Sequence, residues 1–237
     1  CAEFVKDGST IQLGIGNIPN AVAKAFLDAN VQDLGVHSEM ACDTMLDLWE
    51  AGIITNRRKT FMPYRCIFTF AMGTQRLYDW IDDNPGVEFH PVDFVNDPHI
   101  IGKNDNMVSI NACLQVDLTG QICSESLGYK QYTHPGGQLD FVDGAFKSKG
   151  GVSIIATPST ARPRSGDGTV ISKIAPQITP GGIITTPRSC ADYVITEYGV
   201  AKIKGQSIRQ RVRNLISVAH PQFRDELEFE ARKRNLI

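Results

Sequence analysis

Short apolar segments alternate with amphipathic segments along the first 92 residues, and this alternation constrains the fold more than any other feature. Residues 10–14 have the apolar character of a strand, and residues 20–29 place apolar side chains on one face of a helix. Further strands are predicted at 34–38, 66–71 and 87–92, and further helices at 44–51 and 75–83. A repeated strand–helix order indicates parallel βαβ units, so we predict an α/β fold with an open, mostly parallel sheet flanked by helices.

The second half of the chain is richer in predicted strands. Two of them, at 107–118 and 121–124, are joined by a turn at Thr119-Gly120. The other predicted elements are strands at 152–156, 169–174, 182–186 and 192–196, a loop at 162–168, and helices at 207–219 and 223–235. The first of these helices carries an apolar stripe that needs a packing partner, whereas the second is mostly charged and is expected at the surface. The length of 237 residues suits one large domain or two small ones.

Composition excludes several classes of function. There are 24 basic and 26 acidic side chains, and nucleic-acid binding would need a basic excess. No apolar run approaches the roughly 20 residues of a bilayer span, and no signal peptide is recognisable, so no membrane association is expected. The six cysteines form no C-x-x-C pair, which predicts no metal site, reduced thiols and a cytoplasmic location. Because the chain opens on Cys1-Ala2-Glu3 without a methionine, we expect it to be part of a longer polypeptide.

The first candidate site is the glycine turn Leu13-Gly14-Ile15-Gly16, between a predicted strand and a predicted helix. Glycine lets the backbone approach a ligand closely, and the N-terminus of the following helix attracts anions. A dinucleotide-binding fingerprint would need a glycine where Pro19 stands, which argues against a nicotinamide or flavin cofactor. An ordinary tight turn explains the same residues equally well.

The second candidate is Glu39, in the segment His37-Ser38-Glu39-Met40, where a strand is predicted to end and a helix to begin. A carboxylate in a first helical turn stays ionised, and a poorly hydrated carboxylate is a usable nucleophile. The alternative, favoured for this segment alone, is helix-start chemistry with Ser38 as the cap. His37 fits a buried core histidine better than a base, and nothing else supports a hydrolase pair of Cys42 with His37.

Two further segments carry candidate groups. Glu125, in the segment 123–128, is a competing nucleophile, or else a loop carboxylate that caps backbone amides. Gly136 and Gly137 precede a predicted apolar strand, and their successive N–H groups suit an oxyanion or a phosphate. A simple turn is as good an explanation of the two glycines.

Taken together, the motifs resemble one family. In chain order they are LGIGNIPNAV, LGVHSEM, PVDFVNDPHII, MVSINACLQVDLTGQ, GGQLDF, ATPSTA, ADYVITEYGVAKIKG and AHPQFRDEL. This series resembles the C-terminal half of the single-chain acetyl-CoA hydrolase/CoA-transferase family, and most of all its 4-hydroxybutyrate and butyrate:acetate CoA-transferases. The resemblance covers essentially the whole chain and implies a CoA-transferase-like α/β fold of the NagB/RpiA type.

The resemblance also implies a reaction. A glutamate attacks an acyl-CoA thioester and forms a mixed anhydride, and the released CoA thiolate then converts the anhydride into a glutamyl-CoA thioester. A second carboxylic acid takes the CoA by the reverse steps. Coenzyme A is thus a substrate, and the resemblance implies no permanently bound cofactor.

Residue roles follow from the same resemblance. Glu39 is the expected nucleophile, favoured over Glu125, and the backbone amides of Ile15 and Gly137 are the expected oxyanion donors. Asn96 and Glu197 match supporting polar positions of the active site. The CoA site would be lined by Leu13, Gly14, Ile15, Gly16, Thr133, Gly137 and Arg162.

The chain departs from the family pattern in three respects. His134-Pro135 replaces a Gly-x pair, Asp143 stands where a basic residue is common, and Arg162 stands where lysine is frequent. Family members are also about twice as long, so residues 1–237 are expected to be the C-terminal CoA-transferase domain without the N-terminal half. The implied partners are an acyl-CoA, a small carboxylate, that N-terminal half and a second copy in a homo-oligomer. Two alternatives remain: an acyl-CoA hydrolase, and a CoA-binding half that does not turn over.

Overall fold

The computed structural model describes residues 1–14, 16–162 and 168–237. The chain forms two compact units. Unit 1 comprises Cys1–Asn111 and Asp140–Ser153, and unit 2 comprises Ala112–Leu139 and Ile154–Ile237. Within the described ranges, no helix combines the length and the apolar character that crossing a membrane requires.

Unit 1 is built on parallel strands, as the alternation predicts. Its strands are β1 (Thr10–Leu13), β2 (Gly35–Val36), β3 (Met40–Ala41), β4 (Cys66–Phe68), β5 (Phe70–Ala71), β6 (Val87–Phe89) and β7 (Met107–Asn111). β1 lies between β2 and β7 and pairs with both in parallel, with Thr10 opposite Gly35 and Met107. β4 and β6 are parallel, as are β3 and β5, and His37 forms a parallel bridge with Ile67.

Helices follow these strands. They are α1 (Asn17–Asp28), α2 (Asp43–Glu50), α3 (Gln75–Ile81), α4 (Val92–Val95), α5 (Pro98–Ile101) and α6 (Gln138–Lys147). α1 and α2 bury apolar faces because their apolar residues recur at helical spacing; Phe26 and Leu48 are fully buried. A second apolar cluster of unit 1 consists of Ile67, Val95, Ile101, Met107, Phe141 and Ala145.

Unit 2 mixes parallel and antiparallel pairs. Its strands are β8 (Gln115–Asp117), β9 (Ile122–Cys123), β10 (Ser126–Leu127), β11 (Lys130–Gln131), β12 (Val152–Ala156), β13 (Thr160–Ala161), β14 (Ile171–Ser172), β15 (Ile174–Ala175), β16 (Tyr193–Thr196) and β17 (Gly199–Lys202). The first two residues of β12 belong to unit 1, and the rest of the strand, from residue 154, belongs to unit 2. β16 pairs with β12 in parallel and with β17 antiparallel. β8 and β9 form the predicted hairpin, whose turn is held by Asp117, since its Oδ1 accepts hydrogen bonds from the amides of Thr119 and Gln121.

The two C-terminal helices are α7 (Ile208–Val218) and α8 (Pro221–Lys233). Ser207 caps α7, because its hydroxyl accepts a hydrogen bond from the amide of Gln210. The predicted apolar stripe of α7 is confirmed: Val212, Leu215 and Val218 are buried in the core of unit 2. α8 is mostly exposed but buries Leu227 and Ala231.

The structure corrects several predicted elements. Residues 107–118 are two strands, β7 and β8, and residues 66–71 are also two, β4 and β5. The predicted strand at 87–92 ends at Phe89 because Pro91 is the N-cap of α4, and the short helices α4 and α5 were not predicted. Residues 182–186 contribute only a bridge from Thr186 to Ile122. The predicted strand after Gly137 is helix α6, since Phe141, Val142 and Ala145 are buried at helical spacing.

Candidate active site

The glycine turn follows β1 and leads into α1, as predicted. The amide of Gly14 donates a hydrogen bond to the carbonyl of Ile110, 2.8 Å away. Gly16 is the N-cap of α1 with φ +123°, a backbone conformation that side-chain-bearing residues rarely adopt. Ile15, the predicted oxyanion donor, lies outside the described residues.

A buried polar network lies on the two strands beside this turn. The side-chain amides of Gln12 and Asn111 exchange two hydrogen bonds of 3.1 Å each. Ser109 donates to Gln12 Oε1 at 2.8 Å and accepts from Asn111 Nδ2 at 3.0 Å. A β-carbon on Gly14 would come within 3.0 Å of Asn111 Oδ1, so the network packs directly against the turn. Sequence reasoning missed it, because its members are distant in sequence.

Glu39 does not lie in a first helical turn, and that prediction is wrong. It occupies a bend before β3, and α2 begins only at Asp43, with Cys42 as the N-cap. The chain stays extended because β3 pairs with β5, and the Glu39 carbonyl accepts hydrogen bonds from the amides of Thr69 and Phe70. Its backbone is therefore held by strand pairing and not by a helix dipole.

Ser38 is likewise not a helix cap. Its hydroxyl is buried and has no hydrogen-bond partner within the described residues. Its amide donates to the carbonyl of Ile67 at 3.0 Å, which continues the parallel pairing of His37 with that strand.

One cavity of unit 1 brings the glycine turn together with the segment that follows Glu39. Its volume is about 150 Å³. It is lined by Gly14, Gly16, Met40, Cys42, Asp43, Thr44 and Met72. Two separately predicted candidate segments therefore line the same cavity. The strand order explains this, because the two segments follow the neighbouring parallel strands β1 and β2.

His37 and Cys42 do not have the properties of a hydrolase pair. Burial lowers the pKa of His37 to about 4, and its Nε2 lies 2.8 Å from the carbonyl oxygen of Val95. Burial raises the pKa of the Cys42 thiol, which disfavours the nucleophilic thiolate. The interpretation of His37 as a buried core histidine fits this environment.

Two more polar groups of unit 1, Asn96 and Asp140, are buried or half-buried. Asn96 follows α4 and is 9% exposed, and its Oδ1 is buried without a hydrogen-bond partner among the residues described. Asp140, in the first turn of α6, has a raised pKa because of burial and then the charges of Glu39, Asp143 and Asp97. The charge of Glu39 thus acts on Asp140, an interaction that their separation in sequence concealed.

Glu125, the rival nucleophile, is buried in unit 2 with 4% of its surface exposed. Thr185 donates to its Oε1 at 3.1 Å and Gln131 to its Oε2 at 3.3 Å. Its carbonyl accepts hydrogen bonds from the amides of Tyr132 and Thr133. These contacts describe a carboxylate that organises its own loop.

The remaining predicted residues also lie in unit 2. Glu197 accepts hydrogen bonds from the Ser159 amide (2.9 Å) and hydroxyl (2.5 Å). Burial opposes ionisation of Glu197, but these hydrogen bonds, a backbone hydrogen bond of Glu197 itself and the charge of His220 together hold its pKa below the usual value. Thr133 and Arg162 are exposed, and Gly137 is buried immediately before α6.

In residues 1–14, 16–162 and 168–237, no group of three or more His, Cys, Asp or Glu side chains could hold a metal ion. All six cysteines are described, and all six are free thiols. Cys66, Cys113 and Cys123 are buried, whereas Cys1, Cys42 and Cys190 are partly exposed.

The family is shown by comparison with known proteins. The profile of the acetyl-CoA hydrolase/transferase C-terminal domain matches residues 73–231. The chain therefore belongs to this family, as its motifs indicated. The matched range includes Asn96, Glu125 and Glu197 and begins after Glu39.

Individual relatives agree. The chain is similar to a 4-hydroxybutyrate coenzyme A transferase from Clostridium kluyveri, with 54% identity over 99% of this chain and 53% of the relative. It is 44% identical to a butyryl-CoA:acetate CoA-transferase from Anaerostipes caccae, over 98% of this chain and 52% of the relative. A crystal structure of RipA from Yersinia pestis matches with a TM-score of 0.91 and 49% identity, over 100% of this chain and 52% of that one. The predicted α/β fold is thus confirmed, and the chain spans about half the length of the curated relatives it matches.

Proposed function

We propose that the protein is a CoA-transferase that moves CoA between an acyl-CoA of the 4-hydroxybutyryl, butyryl or acetyl type and a small carboxylate such as acetate. The observation that carries the proposal is the cavity shared by the glycine turn and the segment after Glu39. In a family of acetyl-CoA hydrolases and transferases, a glutamate whose neighbour Met40 lines a cavity with a glycine turn suits attack on a thioester.

In the proposed mechanism, a carboxylate oxygen of Glu39 attacks the thioester carbonyl. The C–S bond breaks, CoA leaves as the thiolate, and a glutamyl–acyl anhydride forms. The thiolate then attacks the side-chain carbonyl carbon of Glu39 in the anhydride, and the original acyl group leaves as a carboxylate. The resulting glutamyl-CoA thioester passes CoA to the acceptor carboxylate by the same steps reversed, which regenerates Glu39.

Other residues take supporting roles in this proposal. The amides of Ile15 and Gly137 donate to the oxyanion, and removal of one such donor typically costs about 10²–10³ in rate. Leu13, Gly14, Gly16, Thr133 and Arg162 line the CoA site. Asn96 and Glu197 orient the nucleophile and the acyl group; Ser159 keeps Glu197 ionised and in place.

The organisation of the whole enzyme is part of the proposal. Residues 1–237 are the C-terminal CoA-transferase domain, and an N-terminal half and a second copy of the polypeptide are its partners. The half-length match to relatives supports this organisation. The six free thiols support a cytoplasmic location.

The test uses the full-length polypeptide that the gene encodes. Acyl-CoA with labelled acetate is expected to yield labelled acetyl-CoA, and hydroxylamine or borohydride is expected to modify Glu39 during turnover. Variants E39Q and E125Q form a matched pair, since each replaces one carboxylate by an amide of equal size. Label on Glu125, or full exchange by E39Q, would reject the assignment.

A hydrolase is the second candidate, because the family's description covers both reactions. The same residues serve with water as the acceptor. Loss of the thioester that does not depend on added acetate identifies the hydrolase. Tight CoA binding with neither hydrolysis nor exchange identifies the third possibility, a CoA-binding half without turnover.

A further inference from the structure

His37 connects the two parts of unit 1 that carry Glu39 and Asn96. It lies two residues before Glu39 and is fully buried. Its amide donates to the carbonyl of Ile11, and its backbone forms a parallel bridge with Ile67. The main chain at this position is therefore fixed on both sides by neighbouring strands.

The side chain of His37 reaches a separate element. Nε2 lies 2.8 Å from the carbonyl oxygen of Val95, which is 58 residues away in sequence and directly precedes Asn96. A carbonyl only accepts, so Nε2 carries the proton and donates. Val95 is fully buried, and so this hydrogen bond is made out of contact with solvent.

A neutral His37 ring has one N–H group, and the hydrogen bond to Val95 needs only that one. Burial lowers its pKa to about 4, with smaller contributions in the same direction from Lys59 and His90. The ring is therefore neutral near pH 7, with one N–H at Nε2 and a lone pair at Nδ1. Nδ1 is buried and has no hydrogen-bond partner within the described part of the chain.

We propose that His37 is a positioning residue that, through its hydrogen bond to Val95, holds Asn96 in a defined place relative to Glu39. The inference rests on the proposed function of Glu39 and Asn96. Asn96 follows Val95 at the end of the four-residue helix α4, where its amide donates to the carbonyl of Val92 at 2.9 Å. Among the described residues the side-chain oxygen of Asn96 has no hydrogen-bond partner, so no bond at that atom fixes its orientation, and its position follows from the backbone that α4 and His37 hold.

The competing explanation is that His37 only fills space. Its ring lies 6.2 Å from the ring of Phe141, in the apolar core of unit 1. The variants H37Q and H37M separate the two explanations, because glutamine and methionine are similar in length and volume. Glutamine keeps an N–H donor, whereas methionine keeps only the packing.

The first measurement is steady-state CoA transfer by the full-length polypeptide. H37M is expected to lower kcat at least about tenfold, with KM for acyl-CoA within about twofold, because a misplaced supporting group costs rate more than binding. H37Q is expected to restore kcat to within about threefold of the unmodified enzyme. Equal losses in H37Q and H37M would show that the ring only packs.

A double-variant comparison tests the link to Asn96. If His37 acts through Asn96, H37M in an N96A background causes little further loss of kcat. Losses that multiply independently would overturn the proposal, whatever happens to the melting temperature. Neighbouring positions can also be coupled through packing, so the comparison of H37Q with H37M decides whether the hydrogen bond carries the coupling.

A spectroscopic measurement tests the role of His37 without relying on CoA-transfer activity. The side-chain amide resonances of Asn96, assigned by their loss in N96A, are expected to shift in H37M and to stay in H37Q. Unmoved resonances in both variants contradict the positioning role. If the unmodified polypeptide transfers no CoA, the proposed function has failed, and the resonances still decide whether His37 positions Asn96.

Discussion

The two candidate glutamates lie in opposite kinds of environment. Glu125 is 4% exposed, and both of its carboxylate oxygens accept hydrogen bonds from side chains of its own unit. Glu39 is half-buried in a bend, next to a segment that lines a cavity with the glycine turn. A nucleophile has to reach a substrate, and Glu39 is the more exposed of the two side chains. The difference supports Glu39 as the nucleophile of the proposed reaction.

The largest expected effect is at Glu39. E39Q in the full-length polypeptide is expected to lower kcat for CoA transfer by at least about 10³-fold, because an amide cannot form the anhydride. Isotope exchange between acetate and acetyl-CoA measures the loss of kcat. CoA binding, followed by calorimetry, is expected to change little. A fully active E39Q variant would reverse the comparison.

The next effect concerns the pH dependence of stability in unit 1. The folded pKa of His37, about 4, lies below the ordinary value of 6.5, so the unfolded chain binds a proton between these values and the folded chain does not. Stability is therefore lost as the pH falls from about 6.5 to 4, by up to about 3 kcal/mol. Urea unfolding at pH 7 and pH 4.5 measures the loss.

H37M is the control for that experiment. Asp140 has a raised pKa and so contributes to the pH dependence with the opposite sign, in both proteins alike. The difference between H37M and the unmodified protein isolates the histidine. Parallel stability curves for the two proteins would mean that His37 is protonated in the folded state as readily as in the unfolded chain.

A smaller effect is expected at Glu125. E125Q replaces one carboxylate oxygen by an NH₂ group, which faces either the Thr185 hydroxyl or the Gln131 side-chain amide, and both of these groups donate to Glu125. Two donors then face each other without an acceptor, which costs about 1–3 kcal/mol of stability. Urea unfolding measures the cost, and kcat is expected to stay within about threefold of the unmodified value. Loss of activity with unchanged stability would make Glu125 the better candidate for the nucleophile.

The smallest effect is expected at Gly16. G16A is expected to destabilise unit 1 by about 1–2 kcal/mol, because alanine rarely adopts φ +123°. A new β-carbon would meet nothing within 4 Å, so the cost is conformational and not steric. G52A is a suitable comparison, since Gly52 also has positive φ and open space but lies away from the cavity. If G16A and G52A lose the same stability but only G16A has a higher KM for acyl-CoA, the glycine turn contributes to CoA binding.

Local patterns predicted the elements whose residues bury one face of a regular period. β12 was predicted with its observed bounds, and the hairpin of β8 and β9 followed from the Thr119-Gly120 turn. Patterns failed where long-range pairing decided the conformation. Residues 40–41 are a strand because Phe70 and Ala71 pair with them, and no local signal marks that.

The sequence by itself determined the family, the parallel strand–helix architecture of unit 1 and the residues that are chemically able to act. Side-chain chemistry and hydrophobic periodicity are local properties, and both are readable along the chain. Only the tertiary structure decided that Glu125 is satisfied internally, that the glycine turn shares a cavity with the segment after Glu39, and that His37 reaches Val95. These facts depend on contacts between distant segments, and strand pairing and burial set such contacts only once the chain has folded.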